Sequence, residues 1–389
     1  MAAFTQIVEQ ASDILWNYLL LFLLVGTGIF FTIKLHFVQL SSFADGVRHL
    51  FKGFSLHGKA ADKDGMSSFQ ALATAIAAQV GTGNITGCAT ALVSGGPGAL
   101  FWTWVSAFFG MATIYAEAVL AQTYRTTVDG QVTGGPAYYI QHGLQKRWLG
   151  MVMAFLLLVT FGFGFNAVQS YTVATSLHDT FGLPTHFSGL ALVAVIGLII
   201  FGGIKRIASM ADVLVPIMAF SYIGMALVVI GMNVSEVPAT LALIVKSAFG
   251  LEPAFAGGIG AAILMGVKRG LFSNEAGLGS APNVAAVAEV KHPAAQGIVQ
   301  SLSVFIDTLL VCTSTALIIL LSGVYQPGME QAGVVLTQTA LAAEVGEWGR
   351  VFVSMALLLF VFTTLVYNYY LGENALGFFT SKRWMVQVY

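Results

Sequence analysis

The sequence predicts an all-α protein that crosses a membrane many times. Three observations carry that prediction. Hydrophobic residues make up 57% of the 389 residues and charged residues only 9%, where a soluble globular domain carries about 25% charge. Apolar stretches of about 20 residues, long enough to cross a bilayer, recur along the chain. The Lys and Arg residues gather on one side of the spans that these stretches define. A net charge of −1 offers no field for nucleic acid. The two cysteines, Cys88 and Cys312, lie in apolar segments and read as packing residues.

The expected spans cover 14–33, 67–93, 98–123, 150–177, 187–204, 209–232, 254–288, 295–322 and 350–372. The start, MAAFTQIVEQASDILW, has no basic n-region and no small-residue cleavage site, so the first span itself is expected to direct insertion. Residues 34–66 form a polar stretch with an expected interfacial helix. Nine spans place alternate loops on opposite sides. Thirteen of the 17 Lys and Arg then fall on one side, and Lys246 and Arg350 on the other. Lys268 and Arg269 lie within a span. The positive-inside rule puts the N-terminus outside and residues 34–66 in the cytoplasm.

Two spans are interrupted. The second contains AAQVGTGNITGCA, residues 77–89. Glycine removes the side-chain penalty for irregular backbone. Unwound backbone survives at membrane depth only inside protein or along a cavity. Its freed N–H groups can meet an anion, and its freed carbonyls, with the side-chain oxygens of Thr82 and Asn84, can meet a hard cation. The seventh span contains MGVKRGLFSNEAGLGS, residues 265–280. Ionisable residues at that depth are costly and mark function by default. The two interruptions are five spans apart and run in opposite directions, the pattern of two inverted five-helix repeats. Residues 1–66 would be an added helix and cytoplasmic loop, 67–233 the first repeat and 251–389 part of the second. A full second repeat needs five helices, and this sequence carries three of them.

Other readings explain less. GTGNITG follows no strand and is not GxGxxG, so it does not predict a dinucleotide site. A channel filter would leave the second interruption unexplained, and small-residue helix packing leaves Asn84 unexplained. Glu117 and Asp307 are further intramembrane acids. Glu117 is expected to snorkel or to pair with Arg125, and Asp307 either couples protons or partners Lys268 or Arg269. Histidines fall mostly in loops, against a histidine proton relay.

GTGNITG, GGPGALFWTWVSAFFG (95–110) and GVKRGLFSNEAGLGSAP (266–282) resemble the motifs of the alanine or glycine:cation symporter family, the sodium:alanine symporters. Thr103 stands where that family usually has Met. The resemblance implies a LeuT-type fold with one extra N-terminal helix, apparently lacking the last two core helices. It implies a non-enzymatic, sodium-coupled importer of alanine or glycine, multi-pass in a bacterial or archaeal inner membrane. Its partners would be a small amino acid and the lipid bilayer; nothing sets an oligomeric state. The alternatives are a proton-coupled amino-acid symporter, an ion channel or a non-transporting membrane protein.

Laid on this sequence, the resemblance puts sodium at the carbonyls of Ala77, Val80 and Phe360 and the hydroxyls of Thr363 and Thr364. The alternative for both threonines is bonding back onto their own helix. The substrate carboxylate would meet the N–H groups of Thr82 and Gly83, with Gln79 nearby; Asn84 would either ligate a second cation or contact the substrate directly. Gln169 and Phe165, in the fourth span, would bond the substrate and cap its side chain. The backbone of Gly266–Gly270 would receive the ammonium, with Ser273, Asn274 and Gly277 as further contacts.

Overall fold

The computed structural model describes residues 2–52, 66–128, 130–200, 203–251, 258–330 and 333–380. Helix α1 covers 2–34, with a wider π turn over Leu15–Leu20. Its apolar side chains, among them Phe22, Phe30 and Ile33, are exposed, as a lipid-facing helix requires. Helix α2 (Phe43–Lys52) lies in the polar stretch that follows. Residues 53–65 of that stretch lie outside the described residues.

Helix α3 (Ser68–Gln79) starts at a capping box. The Ser67 hydroxyl accepts from Gln70 N at 3.1 Å, and Ser67 N donates to Gln70 Oε1 at 3.0 Å, so two otherwise orphaned N–H groups are satisfied. After a break, α4 resumes as a π segment, Gly83–Gly87, and an α segment, Cys88–Gly95. Then come α5 (Gly98–Thr123), a hairpin of β1 (Thr126–Val128) and β2 (Gln131–Thr133), and the short α6 (Pro136–Leu144). Helix α7 runs through Arg147–Phe181 with a π segment at Thr160–Phe165. Next are α8 (Thr185–Ile200), α9 (Gly203–Met232) and the short α10 (Val237–Ala248). Helix α11 (Gly258–Asn274) is followed by a break and α12 (Ala281–Val287). The chain continues as α13 (Pro293–Leu321, with a π segment at Phe305–Cys312), the short α14 (Val334–Val345) and α15 (Trp348–Phe379).

Among the described residues, six helices are long and apolar enough to cross a membrane: Thr5–Lys34, Gly98–Thr123, Arg147–Phe181, Arg206–Met232, Pro293–Leu321 and Trp348–Phe379. The two broken helices and the 16-residue α8 occupy the places of the other expected spans. One order occurs twice: a broken helix, a long helix, a short helix, a long helix. Each broken helix also packs on the long helix of the other set, α3 on α13 and α11 on α5. Helices α7, α9 and α15 stand beside this group, and α9 and α15 both touch α3.

The α11–α5 contact is tight because its residues are small. A Cβ on Gly266 would meet the Ala99 carbonyl oxygen and, at 2.7 Å, Trp102 Cβ; one on Gly270 would meet Ser106 Oγ. Thr103 Oγ1 lies 3.0 Å from the carbonyls of both Ala99 and Gly266, so the residue that departs from the family pattern ties the two helices together. This packing narrows the second interruption, expected within 265–280, to the end of that stretch and corrects the expected opening of the backbone at Gly266–Gly270. Helix α11 runs unbroken through Gly266 and Gly270 to Asn274, and the break falls at 275–280. There Glu275, Gly277 and Gly279 hold φ of +57°, +85° and +87°. Glycines that let helices approach and glycines that let backbone turn look alike in a sequence.

Gly266→Ala is expected to destabilise the protein by about 1–3 kcal/mol through overpacking. Gly260 lies on the same helix with nothing near its Cβ position, so Gly260→Ala should be neutral or raise stability by roughly 0.5–1 kcal/mol. Thermal unfolding of the two variants in detergent checks the contrast.

Candidate functional site

The first break begins at Val80, which leaves α3 with ψ of +98°. Two freed amides then find side-chain acceptors. Gly81 N donates to Asn84 Oδ1 at 2.9 Å, and Thr82 N donates to Gln169 Oε1 at 3.1 Å. Both glycines are forced by close approach. A Cβ on Gly81 would sit 2.8 Å from Gln169 Nε2 and 2.9 Å from Thr364 Oγ1; one on Gly83 would sit 3.0 Å from Ser273 Cα. The last contact joins the two interrupted helices backbone to backbone, near the end of α11.

Five oxygens from α3 and α15 converge beside the first break. Thr364 Oγ1 lies 3.0 Å from Ala77 O, 3.3 Å from Val80 O and 2.9 Å from Phe360 O. Thr363 Oγ1 lies 2.9 Å from Phe360 O and 3.4 Å from Ala77 O. All five residues are buried. Each hydroxyl has one proton to donate, so the cluster holds more acceptor lone pairs than protons. The back-bond to Phe360 forms for both threonines, yet Thr364 faces the α3 carbonyls as well.

A second polar centre joins the two breaks. Asn84 Nδ2 donates to Asp307 Oδ1 at 2.6 Å, Ser273 Oγ to Asp307 Oδ2 at 3.0 Å and Thr308 Oγ1 to Asp307 Oδ2 at 2.8 Å. Asp307 is fully buried. Hydrogen bonds to a charged group contribute about 1.5–3 kcal/mol each, so three of them offset a desolvation cost of several kcal/mol. The expected partnership with Lys268 or Arg269 is replaced by this polar cradle, and Lys268 Nζ sits 5.5 Å from the Trp16 ring centroid. The Cys312 sulfur touches Asn84 and Ser273, and Asn274 Nδ2 reaches Thr308 Oγ1 at 3.2 Å. Asn84, Ser273, Asn274 and Asp307 stand out in the sequence, whereas Thr308 does not and Cys312 reads there only as a packing residue.

The wall opposite comes from α7. Phe165 stacks on Phe272 with centroids 4.9 Å apart and tilts against Phe161 at the same distance. Gln79 is buried with both amide atoms unpartnered, and Thr82 Oγ1 is likewise unpartnered. Gln79, Thr82, Gly83, Asn84, Gln169, Ser273 and Asn274 therefore border the two breaks. Gly266 and Gly270 do not: they face α5, and the Gly266 carbonyl is engaged by Thr103. Gly277 turns away from Gly83; its N–H donates to Glu117 Oε2 at 3.1 Å, and its Cβ position meets Leu24. That bond replaces the expected pairing of Glu117 with Arg125, whose Nη1 instead donates to Ala288 O at 3.0 Å.

Comparison with known proteins bears on the family and the fold. The model of the sodium:alanine symporter family matches residues 1–389. The chain is 47% identical over 384 residues to the probable sodium/glutamine symporter GlnT of Bacillus subtilis, covering 98% of this chain and 79% of that protein. It is 41% identical over 388 residues to the sodium/alanine symporter AgcS of Methanococcus maripaludis, covering 98% and 84%. A crystal structure of a manganese transporter from Eremococcus coleocola superposes with a TM-score of 0.55 at 15% identity, over 82% of this chain and 67% of that one. The likeness to it is one of fold. By its whole length and its nearest motifs, the chain belongs to the sodium:alanine symporter family.

Proposed function

We propose that the chain imports a small neutral amino acid, alanine or glycine, together with sodium by alternating access. The observation that carries the reading is the surplus of oxygen acceptors at Ala77, Val80, Phe360, Thr363 and Thr364. A hard monovalent cation balances neutral oxygens without a carboxylate. The repeated helix order and the crossed packing of each broken helix support a LeuT-type pair of inverted repeats, 67–233 and 251–389, with 1–66 in front. The Lys and Arg distribution supports an outside N-terminus and a cytoplasmic 34–66 in a bacterial or archaeal inner membrane.

Sodium bound between α3 and α15 would fix the Val80–Thr82 backbone. In this arrangement Gln169 Oε1 occupies the acceptor position on Thr82 N–H that a substrate carboxylate would take. The unpartnered Gln79 amide and Thr82 hydroxyl add free polar atoms beside it. Phe165 would limit the side chain to alanine size. The ammonium finds its acceptors near Ser273 and Asn274 rather than on Gly266–Gly270. Two ligands that stabilise one closed geometry raise each other's affinity.

Uptake by proteoliposomes tests the reading: alanine should accumulate under an inward sodium gradient and not under an equal potassium gradient. Thr364→Val should raise the sodium concentration for half-maximal uptake by about tenfold or more, equivalent to roughly 1.4 kcal/mol, while Thr364→Ser stays near wild type. Gln169→Ala and Asn84→Ala should each abolish uptake with the protein still present in the membrane; normal uptake by both would overturn the site.

A further inference from the structure

The sodium cluster leaves three buried acids unused: Asp307 on α13, Glu117 on α5 and Glu275 at the second break. One short segment, Ser273–Gly277, links them. At its start Ser273 Oγ donates to Asp307 Oδ2 at 3.0 Å. At its end Gly277 N donates to Glu117 Oε2 at 3.1 Å. Between them stands Glu275, 2% exposed and held in left-handed backbone. That conformation is uncommon for a residue with a side chain and persists only where the surroundings impose it. Here Ala276 N is bonded to Asn274 Oδ1 and Leu278 N to Glu275 O.

The three carboxyl groups are unequally supported. Asp307 has three donors, Glu117 has the Gly277 amide, and Glu275 Oε2 has none. Ser280 Oγ faces the Glu275 carboxyl and favours its charged form, though the contact falls short of full hydrogen-bond geometry for Ser280 Oγ and Glu275 Oε2. The other titratable groups facing Glu275 are Asp307, Glu117 and the Tyr367 phenol, whose hydroxyl donates to Ser280 O; Tyr139 faces Glu117. None of these groups is cationic. No Lys or Arg is among the charged groups facing the three acids. No group of three or more His, Cys, Asp or Glu among those residues could hold a metal ion. A buried carboxylate with one oxygen unpartnered and no cation facing it is costly, and taking up a proton removes that charge.

We propose that the second helix break is a proton-binding site, separate from the sodium oxygens, in which Glu275 carries the proton between Asp307 and Glu117. The inference rests on the reading of the chain as a symporter. A proton from one aqueous side adds to Glu275 Oε2, giving the neutral acid in the closed arrangement shown here. It leaves to water when the packing around the second break opens. The Ser280 hydroxyl and the Glu117 carboxylate are the next polar groups on that route.

The test uses proteoliposomes with a pH dye inside and a fixed sodium gradient. Adding alanine to wild type should acidify the lumen, and the uptake rate should vary with pH. Glu275→Gln should keep sodium-driven accumulation, lose the acidification and flatten the pH profile. Glu117→Gln, which removes a neighbouring negative charge, should move the profile to lower pH; this arm stands if Glu275→Gln fails to fold. Sodium-driven uptake without luminal acidification in wild type overturns the proton site and leaves the sodium reading standing. Acidification unchanged in Glu275→Gln, or a profile unmoved in Glu117→Gln, also overturns it. Acidification with alanine in the absence of sodium supports the proton site and overturns the sodium reading.

Discussion

Everything around the site depends on one constraint: backbone that has left its helix inside a membrane must find other partners. Lipid offers none, and each unsatisfied group costs several kcal/mol. The protein meets the demand by facing one interruption with the other. Gly83 stands so close to Ser273 that a Cβ there would lie 3.0 Å from its Cα and push it aside. Asn84 serves both sides, accepting from Gly81 N and donating to Asp307. The side chains that fill the gap are therefore polar, buried and fixed in place, which is what a site for small ions and zwitterions needs.

The rest of the fold supports that junction. Small residues bring α5 against α11, and Thr103 links them. The capping box at Ser67 starts α3 firmly, so its last carbonyls, Ala77 and Val80, are presented at a fixed height beside α15. Besides the one in α1, wider π turns occur in α4, α7 and α13, which border the site. Such turns are rare in helices at large and occur often at functional positions. Here they shift Asn84, Phe165 and Asp307 out of regular helical register.

The helical architecture was legible in the sequence because lipid imposes a strong pattern: long apolar spans, few charges and a one-sided distribution of Lys and Arg. The first break was legible because Gly-Thr-Gly-Asn has no good reason to sit in a membrane helix. The gathering of Ala77, Val80, Phe360, Thr363 and Thr364 followed from family resemblance, since residues nearly three hundred positions apart carry no local signal of contact. The second break lies at the end of the expected stretch, 265–280, and not at its first glycines. Gly266 and Gly270 serve packing, while the turn is made by Gly277, Gly279 and a glutamate in left-handed backbone, and nothing in the residue types alone separates those uses. The partners of Asp307 were hidden for a similar reason: charge complementarity pointed to Lys268 or Arg269, but at membrane depth a cradle of Asn, Ser and Thr competes with a salt bridge.

The central claim is that sodium and amino acid share one closed geometry built on the junction of the two breaks. Equilibrium binding to the purified protein tests it most directly. Radiolabelled alanine should bind about 5–150-fold more tightly in sodium than in choline, and alanine should tighten sodium binding by the same factor, as linkage requires. Equal alanine affinity in the two salts would contradict the account.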